Sequence, residues 1–264
     1  MMDKSTPKVN ALVDESVGII EISRPEVFNA LSPDIFDAIS KALHEFESSS
    51  SISSILVRSQ GKNFCTGADL TVVRTSLASR ERIEKFLRSG HDVLVELERS
   101  ALPVVVAVQG LALAGGMELL LAGDIVFAGR SARFGDQHGQ FGLIPGWGGS
   151  QRLSRIVGLR RSLDMFLGVR WIDAETALQW GLVNYIVDDA DLNGCALAYC
   201  KKLASRSRDG MSAMKHLARE GIDGDLSAGL ELEIDRAASV LLGRDVIEGL
   251  SAFEQRRSPQ FSKR

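Results

Sequence analysis

The sequence predicts an α/β fold with parallel strands. Short apolar, β-branched runs alternate with helical periodicity through the first three-quarters of the chain, and helix follows helix beyond about Leu192. That alternation of strand and helix argues for strands running parallel, each joined to the next by a helix.

The elements follow in order. Val17–Ile22 reads as a strand that ends at Arg24-Pro25, where proline stops the ladder. Ser32-Pro33 offers an N-cap with proline in the first helical turn, and Ile35, Phe36, Ile39, Leu43 and Phe46 recur at helical spacing. Ser54–Ser59 is a buried strand leading into a small-residue loop, Gly61 to Leu70, of the kind that carries function. Residues 80–99 return to helical period, Val104–Val108 is the central strand, and residues 124–128 form another before Phe134-Gly135-Asp136. The tail predicts helices over 196–203, 212–220, 227–242 and 245–255, with apolar faces to be covered by the chain's own core, a neighbouring subunit, or both. The division expected is a core over 1–191 and a helical region over 192–264.

The bulk properties narrow the functional classes. At 264 residues, with 45% hydrophobic and 25% charged residues, the chain builds a full core without staples. A net charge of −3 provides no basic field for nucleic acid. Three scattered cysteines, Cys65, Cys195 and Cys200, form no zinc pattern and suit a reducing compartment, so no metal site is expected. Residues 1–7 lack the succession of a secretory signal, and the apolar stretch 101–129 is interrupted by Gln109, Glu118 and Asp124. A cytoplasmic protein without a membrane span is expected.

The stretch from Pro103 to Glu118 is the most informative. An apolar strand runs into Gly115-Gly116, which opens a helix with Glu118 in its first turn. Free amides at a helix start, at the positive end of its dipole, bind an oxygen on which negative charge develops, and Glu118 places an acid/base beside them. The competing reading is close packing of helix on sheet, which also favours a glycine pair.

Taken with Arg24-Pro25, Asn29-Ala30-Leu31, Phe64 through Leu70, Asp124, Phe134-Gly135, Gly142 through Leu153 and Ala174 through Val183, this stretch resembles the crotonase family, the enoyl-CoA hydratase/isomerase superfamily. The resemblance runs from about Val17 to Arg257. It implies a spiral of ββα units with a C-terminal helical region that assembles trimers, often paired into hexamers. It also implies an acyl-CoA thioester as substrate and no permanently bound cofactor. By the same likeness, Ala68 and Gly115 supply the two N–H groups of an oxyanion hole, and CoA lies along Arg24, Val27, Thr66, Ala68, Asp69 and Leu70. Thr71 stands where many relatives have a lysine.

The catalytic pair departs from the family pattern. Hydratases carry two glutamates; the first corresponds to Glu118, and counting forward from it and back from Pro145 places the second at His138. Hydration of a 2-enoyl-CoA to a 3-hydroxyacyl-CoA then assigns water activation to Glu118 and the partner role to His138. His138 also reads as an ordinary loop histidine, and Asp136 is a second candidate for the missing carboxylate. Trp147 reads either as acyl-pocket lining or as a buried or subunit-contact aromatic. The alternatives are an isomerase, a hydrolase or other lyase on the same oxyanion site, or a CoA-binding protein without hydratase activity. A dinucleotide oxidoreductase is disfavoured because G-x-G-x-x-G is absent, and Ser150 lacks the G-x-S-x-G elbow of a serine hydrolase.

Overall fold

The computed structural model describes residues 8–262; residues 1–7, the segment read as lacking a secretory signal, and residues 263–264 lie outside the described residues. Six strands form the main sheet: β1 (Val9–Asp14), β2 (Val17–Ile22), β3 (Ser54–Ser59), β4 (Val104–Val108), β6 (Ile125–Gly129) and β9 (Tyr185–Val187). They lie in the order β1-β2-β3-β4-β6-β9, parallel except for the β1–β2 hairpin. Three short strands, β5 (Leu111–Leu113), β7 (Arg133–Gly135) and β8 (Trp171–Asp173), form a second sheet in the order β5-β7-β8.

The helices are α1 (Pro33–Ser48), α2 (Leu70–Ser76), α3 (Arg80–Arg99), α4 (Gly115–Leu121), α5 (Gly149–Val157), α6 (Leu159–Leu167), α7 (Ala174–Gln179), α8 (Leu192–Leu203), α9 (Arg208–Asp223), α10 (Leu226–Leu241) and α11 (Arg244–Glu254). Among the described residues no helix is long and apolar enough to cross a membrane.

The chain winds as a spiral of repeated units. Each pass lays a strand in the main sheet, then a short extended segment beside the previous pass, then a helix. After β2 comes the bridge residue Leu31 and α1; after β3 come Cys65 and Ala68 and then α2; after β4 come β5 and α4; after β6 comes β7. The short segments form their own ladder, through the parallel bridges Leu31↔Ala68 and Cys65↔Ala112 and the β5–β7 pairing. This ladder brings the loops at 65–68, 111–115 and 133–136 side by side.

One face of the sheet packs Ile20, Ile22, Ile55, Val57, Val104 and Val106 against α1 and α3, whose buried stripes include Phe36, Ile39, Leu43, Phe86 and Leu94. The opposite face buries Val17, Ile19, Leu56, Val105 and Ala107 under Leu192, Ala196 and Cys200 of α8. The apolar stripe of α8 is therefore spent on the chain's own core. The next three helices differ: α10 has no buried residue, α9 only Met211 and α11 only Ala252.

Several local expectations change. Ser32 sits at the N-cap position of α1, but its hydroxyl donates to the Asp34 carboxylate instead of accepting a backbone N–H. The central strand does not run straight into the glycine pair: β4 ends at Val108, Gly110 turns the chain at φ +55°, and β5 intervenes before α4. β1, β8 and β9 are additional strands with too few buried apolar residues to stand out in sequence.

Candidate active site

The ladder sets the backbone geometry. Leu31 N–H donates to Gly67 O at 2.8 Å and Asp69 N–H to Leu31 O at 2.7 Å; Cys65 N–H donates to Leu111 O at 3.0 Å and Leu113 N–H to Cys65 O at 2.9 Å. The Gly67-Ala68 peptide is thereby laid against the β5–α4 junction. A Cβ built on Gly67, whose φ is +111°, would come within 3.2 Å of Gly115 N. Ala114 is held at φ 47°, ψ −115°, a strained conformation for a residue with a side chain, and its N–H donates to Gly135 O at 3.0 Å. Among the described residues, neither Ala68 N–H nor Gly115 N–H donates to a protein acceptor. The glycine pair is also a close-packing device. A Cβ on Gly116 would lie 2.1 Å from Cys65 O, and one on Gly115 would lie 2.5 Å from the Trp147 ring.

Glu118 is 1% exposed and points into the protein. Its Oε1 accepts N–H bonds from Trp147 at 2.7 Å and Gly149 at 2.9 Å. Gly148, at φ +103°, caps α5 in the left-handed region and turns these amides toward the carboxylate. Gly149 leaves room for it, since a Cβ there would lie 2.9 Å from Glu118 Cγ. Burial pushes the Glu118 carboxyl above the usual range; the two N–H bonds and the charge of His138 pull it back only in part.

The second oxygen, Oε2, lies 3.9 Å from His138 Nε2. His138 begins a 3₁₀ turn over His138–Phe141, and its side chain is 13% exposed. Its Nδ1 lies 3.0 Å from both carboxylate oxygens of Asp136, which is buried at the end of β7. Burial alone would lower the imidazole pKa. The hydrogen bond and charge of Asp136, with the charge of Glu118, outweigh burial and raise it. Cys65, beside these loops, is no nucleophile: burial pushes its thiol up to about 12.

Trp147 is buried rather than exposed. Its ring stands edge-on to Phe36 at 4.8 Å and packs on Phe86 at 5.4 Å. Its carbonyl accepts from Arg152 Nη1 at 2.7 Å, and Arg152 Nη2 meets Glu98 at 2.5 Å. Glu98 also pairs with Arg219 of α9 at 3.0 Å, and Arg219 reaches Asp124 at 2.8 Å. Ion pairs thus tie α3, α5 and α9 to the peptide that holds Glu118.

The residues read as a CoA track lie on two adjoining segments. Arg24 donates to Ala30 O at 2.7 Å and to Asp69 at 3.1 Å, joining the loop after β2 to the start of α2. Asp69 caps α2 through Thr71 N–H at 3.0 Å. Val27 and Thr66 are half-buried, and Leu70 is exposed, as is the neighbouring Phe28. Asn29, fully buried at φ 56°, locks this corner by donating to Gln60 O and Asn63 O.

The structure lays Gly67, next to Ala68, against Ala114 and Gly115, and brings Glu118 to 3.9 Å from His138. The amides of Trp147 and Gly149 were not read from sequence, although Gly148-Gly149 before a helical run was the available signal. The engagement of Asp136 with His138 was also missed; its signal was the Asp-x-His spacing after Phe-Gly.

Comparison with known proteins agrees with this architecture. The family model for enoyl-CoA hydratase/isomerase matches residues 13–264. A short-chain-enoyl-CoA hydratase of Clostridium acetobutylicum is 31% identical over 242 residues, covering 91% of this chain and 92% of that protein. The crystal structure of an enoyl-CoA hydratase from Polaromonas sp. JS666 superposes with a TM-score of 0.93 at 29% identity, over 96% of this chain and 99% of that one. One from Bacillus anthracis superposes with a TM-score of 0.92 at 29% identity, over 98% and 100%. A single continuous match over the ladder, the glycine pair and the helical tail places this chain in the enoyl-CoA hydratase/isomerase family.

Proposed function

We propose that this protein adds water across the double bond of a 2-enoyl-CoA to give a 3-hydroxyacyl-CoA. The observation that carries the reading is the 3.9 Å separation of Glu118 Oε2 and His138 Nε2. That distance is too long for a hydrogen bond, yet a water about 2.8 Å from each atom fits between them.

In this reading the N–H groups of Ala68 and Gly115 hold the thioester oxygen as it gains enolate character. One such donor is worth about 10²–10³ in rate in a well-studied case from another enzyme. Glu118, ionised, takes a proton from the water, and the hydroxide adds to the β-carbon. The imidazolium of His138 gives its proton to the α-carbon. Glu118 is left protonated and His138 neutral, and the Glu118 proton returns to His138 through the next water. Atoms and charge balance over the cycle. CoA lies along Arg24, Val27, Thr66, Ala68, Asp69 and Leu70.

The exposed Leu226, Leu230, Ile234 and Leu241 of α10, and Ile247, Leu250 and Phe253 of α11, support a homotrimer or hexamer covering these faces. The free cysteines are consistent with the cytoplasm.

The test is crotonyl-CoA turnover followed by loss of the enoyl chromophore, with Glu118→Gln as the control. Undiminished turnover in the variant contradicts the assignment, and a product that keeps a C=C bond reassigns the reaction to isomerisation.

A further inference from the structure

We propose that Asp136 is the positioning residue of this site: its carboxylate holds the His138 ring by Nδ1, so that Nε2 is the nitrogen offered to Glu118 and to the molecule between them. The proposal deepens the hydration reading and rests on it for its catalytic consequence.

One carboxylate grips His138 twice. Both oxygens lie 3.0 Å from Nδ1, and Oδ1 also accepts the His138 backbone N–H at 3.2 Å. Ring and backbone are thus fixed to the same group, which is itself only 2% exposed. Asp136 follows Gly135, whose carbonyl accepts the Ala114 N–H, so it is registered to the junction between β5 and α4. A neutral imidazole has one N–H, and a carboxylate can only accept; the proton therefore sits on Nδ1 and the lone pair on Nε2. Once protonated, the ring keeps Nδ1–H on Asp136 and presents its second N–H, on Nε2, to the space shared with Glu118 Oε2. The same logic of a carboxylate setting an imidazole tautomer operates in serine-hydrolase triads.

The charged groups facing the ring are Asp136 and, from α4, Glu118. Those on the neighbouring elements turn away. Arg160, Arg161 and Asp164 of α6 are exposed, with Asp164 bonded to Arg170. Asp173 and Glu175 pair with Arg133 and Arg130 at the surface. Asp136 and Glu118 are thus the charges that set the state of His138, and Asp136 is the one that bonds to it.

The experiment is ¹⁵N NMR of the imidazole groups of the full chain, which has four histidines, with the His138 signal assigned through His138→Gln. In the unaltered protein, neutral His138 is expected as the Nδ1–H tautomer. In Asp136→Asn its titration midpoint is expected to fall by about one pH unit or more, and the alkaline limb of kcat to fall with it, while KM stays nearly unchanged. An Nε2–H tautomer in the unaltered protein, or an unmoved midpoint in the variant, overturns the proposal. If Asp136→Asn does not fold, the tautomer of the unaltered protein decides. If the midpoint moves but no enoyl-CoA is hydrated by the unaltered protein, the hydration reading falls and the Asp136 assignment stands.

Discussion

Glu118 Oε2 and His138 Nε2 face each other at 3.9 Å, and the other polar atom of each side chain is already committed. Glu118 Oε1 is held by the amides of Trp147 and Gly149, and His138 Nδ1 by Asp136. Two acid/base groups are therefore immobilised with their free atoms pointing at a common space.

Glu118→Gln keeps an oxygen for the Trp147 and Gly149 amides but loses the proton acceptor. Hydration of crotonyl-CoA should fall by about 10²–10⁴ in kcat, with a melting temperature at neutral pH no lower than that of the unaltered protein, because the substitution removes a buried charge. Steady-state kinetics alongside a thermal melt checks both halves.

The pH dependence follows from two raised pKa values. Activity needs Glu118 ionised and His138 protonated, so the profile should be a bell. Its acid limb should lie above 4.5, the ordinary carboxyl value, and its alkaline limb above 6.5. The apparent values belong to the pair. Because both groups bind protons more tightly in the folded state, their contribution to stability is fully present below their ordinary values. It is lost as pH rises through the raised ones. Denaturant melts from pH 4 to pH 9 should show this loss, and Glu118→Gln should remove part of it.

Gly149→Ala places a Cβ 2.9 Å from Glu118 Cγ and 3.1 Å from Oε1. The carboxylate must shift, so kcat should drop by about ten-fold or more, with about 1–3 kcal/mol of destabilisation from overpacking. Activity and urea unfolding on the same preparation check it.

Arg152→Met removes the cation that joins Trp147 O to Glu98 and leaves Glu98 with Arg219 alone. Breaking a part-buried network of this kind should cost about 3 kcal/mol at most. It should also lower kcat more than it raises KM, because the Trp147 peptide holds Glu118 rather than the CoA. Equal losses in both parameters would argue against that link.

Much of the fold was legible because its main strands are short runs rich in Val, Ile and Leu, set between segments of helical periodicity. Val17–Ile22, Ser54–Ser59 and Val104–Val108 appear at the positions read from sequence. The second sheet was not legible: its strands are three residues long, too short for any periodicity, and two of its rungs are single bridges at Leu31 and Cys65. Glu118 stood out because it follows a glycine pair. The contact between Asp136 and His138 did not, because it depends on a 3₁₀ turn that composition does not specify. The Ser32 cap failed for a related reason: a nearby acidic side chain, Asp34, took the hydroxyl that the helix start would have used.

The most direct test of the central claim is mass spectrometry of the product formed from crotonyl-CoA in H₂¹⁸O. Hydration between Glu118 and His138 predicts an intact thioester carrying one ¹⁸O at the β-carbon. Label in a released carboxylate with free CoA, or an unlabelled enoyl thioester with a shifted double bond, would contradict it.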